Sequence, residues 1–139
     1  MGWAWEVGRT PSEMEEAGWA GVSTFPREVT LGDDGHPRFV PARELLSLRR
    51  EAPLPEALRA PAFEVSGRGL RLSLDGTPVV DLPGEGTVTV DGSIVEAYGA
   101  DGRTVTTRAY PGAGSAWSVT GEVTGAWVLE PAPGPGGDR

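Results

Sequence analysis

Cysteine, lysine, asparagine and glutamine are all missing from this 139-residue chain, and Ile94 is its single isoleucine. Without cysteine there can be no disulfide, thiolate metal ligand or thiol nucleophile. His36 is the only histidine, so a metal site of several imidazole or thiolate ligands is excluded by count. Positive charge is scarce too. Twelve arginines face 20 acidic residues, giving a formal net charge of −8, the wrong sign for a phosphate-backbone footprint. Nucleic acid is not an expected partner. No run of about eighteen apolar residues occurs, so no membrane contact is expected. Met1-Gly2-Trp3-Ala4-Trp5-Glu6 has neither a basic n-region nor an apolar h-region, so no export signal is expected and the default localisation is cytoplasmic.

What is abundant is glycine, with 21 residues, and proline, with 13. Asp-Gly recurs at Asp34-Gly35, Asp75-Gly76, Asp91-Gly92 and Asp101-Gly102, and this dipeptide supplies the positive φ that tight hairpins require. Leu70, Leu72 and Leu74 alternate with Arg71, Ser73 and Asp75, and Val88 and Val90 alternate with Thr87 and Thr89. That is the period-two pattern of half-buried strands. Further strands are expected at Ser93–Tyr98, Arg103–Tyr110, Trp117–Val123 and Ala126–Glu130, and short strands at this spacing indicate a sandwich or barrel. Two stretches break the pattern. Pro11 to Glu16 opens like a helical turn ending at Gly18, and Pro41 to Arg50 places Leu45, Leu46 and Leu48 at roughly helical spacing. Pro53, Pro55 and Pro61 read as a linker, and the Pro/Gly-rich tail from Pro131 has nothing to bury, so it is expected to be disordered.

Local chemistry is sparse. His36 follows a turn and could join a Ser-His-Asp triad only by meeting a distant serine; a solvated loop residue is the better reading. Glu13, Glu15 and Glu16 form the one acidic cluster, and a solvated helix face accounts for it better than a metal site. The glycine runs near Gly67, Gly84 and Gly112 lack phosphate-loop spacing and a following helix, so they read as turns. No two acids are marked locally as a glycosidase pair about 5 Å apart. Five tryptophans remain. Trp117 and Trp127 lie in strand patterns and are expected in the core, whereas Trp3, Trp5 and Trp19 could be packing anchors or sugar-stacking faces.

Gly18-Trp19-Ala20-Gly21 followed by Pro26-Arg27-Glu28 resembles a segment of glycoside hydrolase family 32, whose members include invertases, levanases and inulinases. Trp3-Ala4-Trp5 with Gly8-Arg9-Thr10 looks like the strand and loop leading into it, and Pro41-Ala42-Arg43-Glu44-Leu45 is similar to the connecting helix. Val90 to Tyr98, Asp101-Gly102-Arg103 and Thr107-Arg108-Ala109-Tyr110-Pro111 resemble the hairpin of the family's C-terminal β-sandwich. The resemblance implies an all-β fold with a remnant of the last propeller blade at 1–42. A linker helix and Pro-rich connection at 43–60 would follow, then a small antiparallel β-sandwich at 61–130 and a tail at 131–139. The stretch between Pro53 and Thr87 is short for the family, so missing strands are an expectation.

The family's nucleophile lies in Asn-Asp-Pro, its stabiliser in Arg-Asp-Pro and its acid in Glu-Cys, and none of these occurs in the sequence. No catalytic, metal or cofactor-binding residue is therefore carried over, and the substrate-binding residues are unknown. The expected role is a non-catalytic C-terminal fragment of a sucrose- or fructan-cleaving β-fructosidase, with no cofactor. The alternatives are a stand-alone sugar-binding module or an accessory subunit for a separately encoded propeller. Expected partners are accordingly a fructan or sucrose-type carbohydrate, a propeller-containing protein, or a second copy of the chain. Arg27 and Glu28 read as a pair within the blade. Across the Asp101-Gly102 hairpin, Glu96 is expected opposite Arg108 if a bulge or a three-residue loop sets the register, or opposite Thr107 if the turn has two residues. Residues 1–42, with the apolar side chains of Trp3, Trp5, Val29 and Leu31 among them, are expected either to fold back on the sandwich or to stay mobile, and the protein to self-associate or need a partner.

Overall fold

The computed structural model describes residues 2–131; the expectation of a disordered tail lies outside them from residue 132 onward. Among the described residues, no helix is long and apolar enough to cross a membrane. The N-terminal segment runs through β1 (Trp3–Ala4), α1 (Pro11–Ala17), β2 (Val22–Ser23), β3 (Arg27–Leu31) and β4 (Pro37–Pro41). There follow β5 (Arg49–Glu51), α2 (Leu54–Ala57), β6 (Ala62–Leu74), β7 (Thr77–Asp91), β8 (Ile94–Gly99), β9 (Thr104–Arg108) and β10 (Trp117–Leu129). The fold is all-β and antiparallel, as the alternation and the Asp-Gly turns implied. Strands β5-β10-β6-β7-β8-β9 form one sheet in that order, while β1-β2 and β3-β4 are separate pairs.

One hydrogen-bonded sheet makes both layers of the sandwich. A straight strand from Phe63 to Leu74 would span roughly 36 Å at the ordinary rise. Trp117 pairs with Leu74 in the ladder, yet its ring lies 5.9 Å from that of Phe63, edge-on. The long strands therefore fold over, bringing their two ends together. The fold lies where register slips, between Arg68 and Leu70 on β6 and between Thr120 and Glu122 on β10. Gly69 and Gly121 sit there with φ of 61° and 118°, and a Cβ on Gly121 would stand 2.4 Å from the Gly69 carbonyl oxygen. Because the slip adds one residue, the inward set changes from odd to even numbers, and Phe63, Val65, Leu70 and Leu72 all reach the same core.

That core also takes Val80, Leu82, Val88, Val90, Val95, Ala97, Ala126 and Val128. The tip of β6-β7 is a two-residue turn at Asp75-Gly76, both with positive φ, which matches the right-handed twist of its strands. In the proline-rich stretch, α2 buries Ala57 completely and packs Leu54 and Leu58 against the core.

Several expectations are corrected. The helix expected over Pro41 to Arg50 is not one element: β4 takes Pro37–Pro41, a 3-10 helix covers Arg43–Leu48 and β5 takes Arg49–Glu51. Ala42 offers no side-chain cap and the 3-10 helix buries nothing, so pairing of β5 with β10 wins over helical propensity. The two strands expected at 117–123 and 126–130 are one bulged strand, β10. The short stretch from Pro53 to Thr87 holds all of β6 and most of β7. At β8-β9, the partners are Glu96↔Thr106 and Tyr98↔Thr104. Glu96 therefore faces neither Arg108 nor Thr107. The loop has three residues, Ala100 to Gly102, closed by the Gly99 amide on the Arg103 carbonyl at 2.8 Å; it is centred on Asp101, which moves the register opposite to the expected direction.

Candidate functional site

Strand β8 is buried on both faces. Val95 and Ala97 point into the core, while Ile94, Glu96 and Tyr98 point outward and are covered by the N-terminal segment, whose β4 lies against β8 and whose β1 lies against β9. The ladder registers place Glu64, Thr89, Glu96 and Thr106 side by side across β6, β7, β8 and β9. This outward row carries two buried carboxylates, Glu64 at 3 % and Glu96 at 0 % exposure. Each is met by an arginine from earlier in the chain.

Arg27, on β3, donates from Nη2 to Glu96 Oε1 at 2.5 Å and to Thr106 Oγ1 at 2.5 Å, and from Nε to the Tyr98 hydroxyl at 3.2 Å. The other Glu96 oxygen accepts from the Tyr98 hydroxyl, and Thr106 Oγ1 donates to Oε1 at 3.4 Å. The buried carboxylate is thereby satisfied on both oxygens. Burial, reinforced by the adjacent Glu96 carboxylate, pushes the Tyr98 phenol well above its ordinary range, so it remains a donor. The expected Arg27–Glu28 pair does not form. Arg27 leaves the blade-like hairpin for β8, and Glu28 instead accepts from the Arg43 amide at 3.4 Å.

Arg49, on β5, pairs with Glu64 Oε1, whose other oxygen accepts from Thr89 Oγ1 at 3.2 Å. Burial raises the Glu64 pKa, opposed by the Arg49 charge. The Arg49 guanidinium lies 4.4 Å over the Trp127 ring, so Trp127 is half-buried on the outward face rather than in the core, while Trp117 packs against the core.

A third cluster ties the N-terminus to β9. Glu6 accepts from Arg9 Nε at 2.5 Å, from the Gly21 amide at 2.9 Å and from the Tyr110 hydroxyl. The Arg9 hydrogen bond is the main cause that holds this carboxyl far below the usual range. Arg108, with a side chain 1 % exposed, donates to Ser93 Oγ at 2.8 Å and to the Ala4 carbonyl at 3.3 Å. Arg9 stacks 4.0 Å over Trp19, and Arg108 lies 5.2 Å over Tyr110. The Nε atoms of Arg49 and Arg108 are buried without a hydrogen-bond partner; both guanidinium groups sit against ring faces, which offset part of that loss.

Residues singled out from sequence stay apart from these clusters. His36 is exposed, its amide donating to Asp34 Oδ1 at 3.1 Å. Glu13 closes a capping box with Thr10 at the start of α1, and Glu15 and Glu16 are exposed. Among the described residues, no group of three or more His, Asp or Glu could hold a metal ion. Glu64 and Glu96 stand two strands apart, roughly 10 Å, close to the spacing of an inverting glycosidase pair. Both are sealed from solvent and each is engaged by its own arginine, so the pair anchors backbone rather than offering a face to a sugar. Sequence reading missed Glu64, Arg49 and Tyr110 as site members; the alternation that places Glu64 between Phe63 and Val65 was the available signal.

Residues 84–127 match the family model described as glycosyl hydrolases family 32, C terminal. The matched span runs from the second half of β7 through most of β10 and includes Glu96, Arg108 and Tyr110, the sandwich side of two of the three clusters. The match covers 44 of the 139 residues and supports a C-terminal domain of the family 32 type over that span. No curated protein matches the chain.

Proposed function

We propose that this chain is the non-catalytic C-terminal part of a family 32 β-fructosidase, in which residues 1–42 belong to the last propeller blade, 43–60 connect, and 61–130 form the sandwich. Its role is to brace a catalytic propeller that cleaves sucrose or fructans. The observation that carries this reading is a face of β3 that the sandwich covers at one end only, since Arg27, Val29 and Leu31 point to the same side of an unbulged strand. Its Arg27 is committed to the buried Glu96, while Val29 and Leu31 are 61 % and 76 % exposed. Trp3 and Trp5 are exposed as well, at 56 % and 78 %, and both two-stranded pairs have open edges that a neighbouring blade would cover.

The test mixes the purified chain with a family 32 propeller expressed without its C-terminal sandwich and without the part of its last blade that corresponds to residues 1–42. Co-purification and a gain in fructose release over the propeller alone are expected, with no release by the chain alone. Failure to associate would overturn the reading. A second reading, a sugar-binding module, is favoured by the exposed Trp5 indole, a stacking face for a fructosyl unit. Titration with inulin, levan and sucrose tests it: a heat or fluorescence change lost in Trp5→Ser supports it, and none removes it.

A further inference from the structure

A groove lies where α2 meets the loop between β9 and β10, and none of the cluster arginines lines it. It has a volume of about 800 Å³ and runs between α2 and the loop Pro111 to Ala116. Leu54, Pro55 and Leu58 form one wall, the Pro111–Ser115 loop the other, and Trp117 lines it as well. Trp117 is half-buried, held edge-on against the core Phe63, so its indole is an immobilised surface rather than a flexible one. The groove is in the size range of small-molecule sites, which are mainly apolar with a few placed polar groups.

The charge in this groove runs against that of the chain. With 20 acidic residues in the sequence, no carboxylate lines it, and the one charged side chain there is Arg59. Arg59 is exposed and has no ion-pair partner among the described residues. In contrast, Arg27, Arg49 and Arg108 are each committed to a carboxylate. An apolar trough with a fixed indole and a free guanidinium suits a ligand with a flat apolar body and a single anionic group. We propose that this groove binds a small organic acid, its apolar ring lying along Trp117 and the α2 wall and its carboxylate meeting Arg59. The guanidinium is suited to a carboxylate because its paired donors match the two oxygens. This site is independent of the propeller-bracing reading and uses none of its surface.

Naphthoate is the probe, titrated into the whole chain with heat and amide chemical shifts as readouts. Saturable one-site binding is expected, with shifts concentrated at Gly92, Gly112 and Ser115. Arg59→Glu, at an exposed position that leaves the core untouched, is expected to weaken binding at least about tenfold, and naphthyl methanol, which lacks the charge, is expected to bind about tenfold more weakly than naphthoate. Trp5→Ser, on the other exposed apolar surface, is expected to leave the affinity unchanged. Absence of saturable binding, equal affinity for the acid and the alcohol, an undiminished affinity in Arg59→Glu, or loss of binding in Trp5→Ser would each overturn the proposal.

Discussion

Arg27 and Glu96 are 69 residues apart in the chain and 2.5 Å apart in the fold. Their ion pair joins the β3-β4 hairpin to the outward face of β8. Removing one partner leaves the other buried and uncompensated, which is far more costly than removing both. Arg27→Ala is expected to lower unfolding free energy by about 3 to 5 kcal/mol, and the double change Arg27→Leu with Glu96→Leu to lower it by much less. Urea unfolding of the three proteins checks this; a double variant as unstable as the single one would show that the pair itself, not the stranded charge, carries the stability.

Glu64 predicts a pH dependence. Its folded pKa is raised by burial, so the folded chain holds this proton more tightly than the unfolded one. The stability it contributes is fully present below the unfolded carboxylate value of about 4.3 and is lost as pH rises through the folded value. Relative to the parent, Glu64→Gln is therefore expected to gain stability as pH rises from about 4 to about 7. Unfolding midpoints for both proteins across that window are the measurement, and parallel profiles would contradict the assignment.

Glu6 has the opposite sign. Its pKa is depressed, chiefly by Arg9, so its contribution is present above the unfolded carboxylate value and is lost only as pH falls through the lower folded value. Glu6→Gln is expected to loosen the N-terminal attachment at neutral pH without unfolding the sandwich. Hydrogen exchange at the Gly21 amide, which donates to Glu6, should accelerate while that of Val95 stays slow. Equal acceleration at both sites would mean that the segment and the sheet open together.

At the fold-over of the sheet, Gly121→Ala places a Cβ against the Gly69 carbonyl and holds an alanine at φ of 118°. A loss of about 2 kcal/mol or more is expected. Gly114→Ala, also at positive φ but with nothing within 4 Å, should lose about 1 kcal/mol from backbone strain alone. Thermal midpoints of the two variants distinguish clash from strain.

The apolar surface of the N-terminal segment predicts self-association in the absence of a propeller. Sedimentation velocity of the parent should show oligomers that dissociate in the combined variant Trp5→Ser with Leu31→Ser. A parent that remains monomeric at high concentration would show that this surface is tolerated in water.

The local pattern by itself determined that the chain is all-β and where its sharp turns lie: the alternation of Leu70, Leu72 and Leu74 and the positive φ demanded at Asp75-Gly76 are properties of adjacent residues. Motif spacing alone also pointed to the family, through Val90 to Tyr98 and Thr107 to Pro111. Tertiary structure decided the rest. Whether Arg49 to Glu51 would be helix or strand depended on the edge of β10 lying beside it. Whether Glu96 would meet Arg108 or Arg27 depended on a loop centred one residue earlier and on a hairpin 69 residues upstream. Trp117 reached Phe63 only because the sheet doubles back at Gly69 and Gly121. Backbone preference and side-chain period act over a few neighbouring residues, whereas a buried charge is satisfied by whichever opposite charge the completed chain path brings to it.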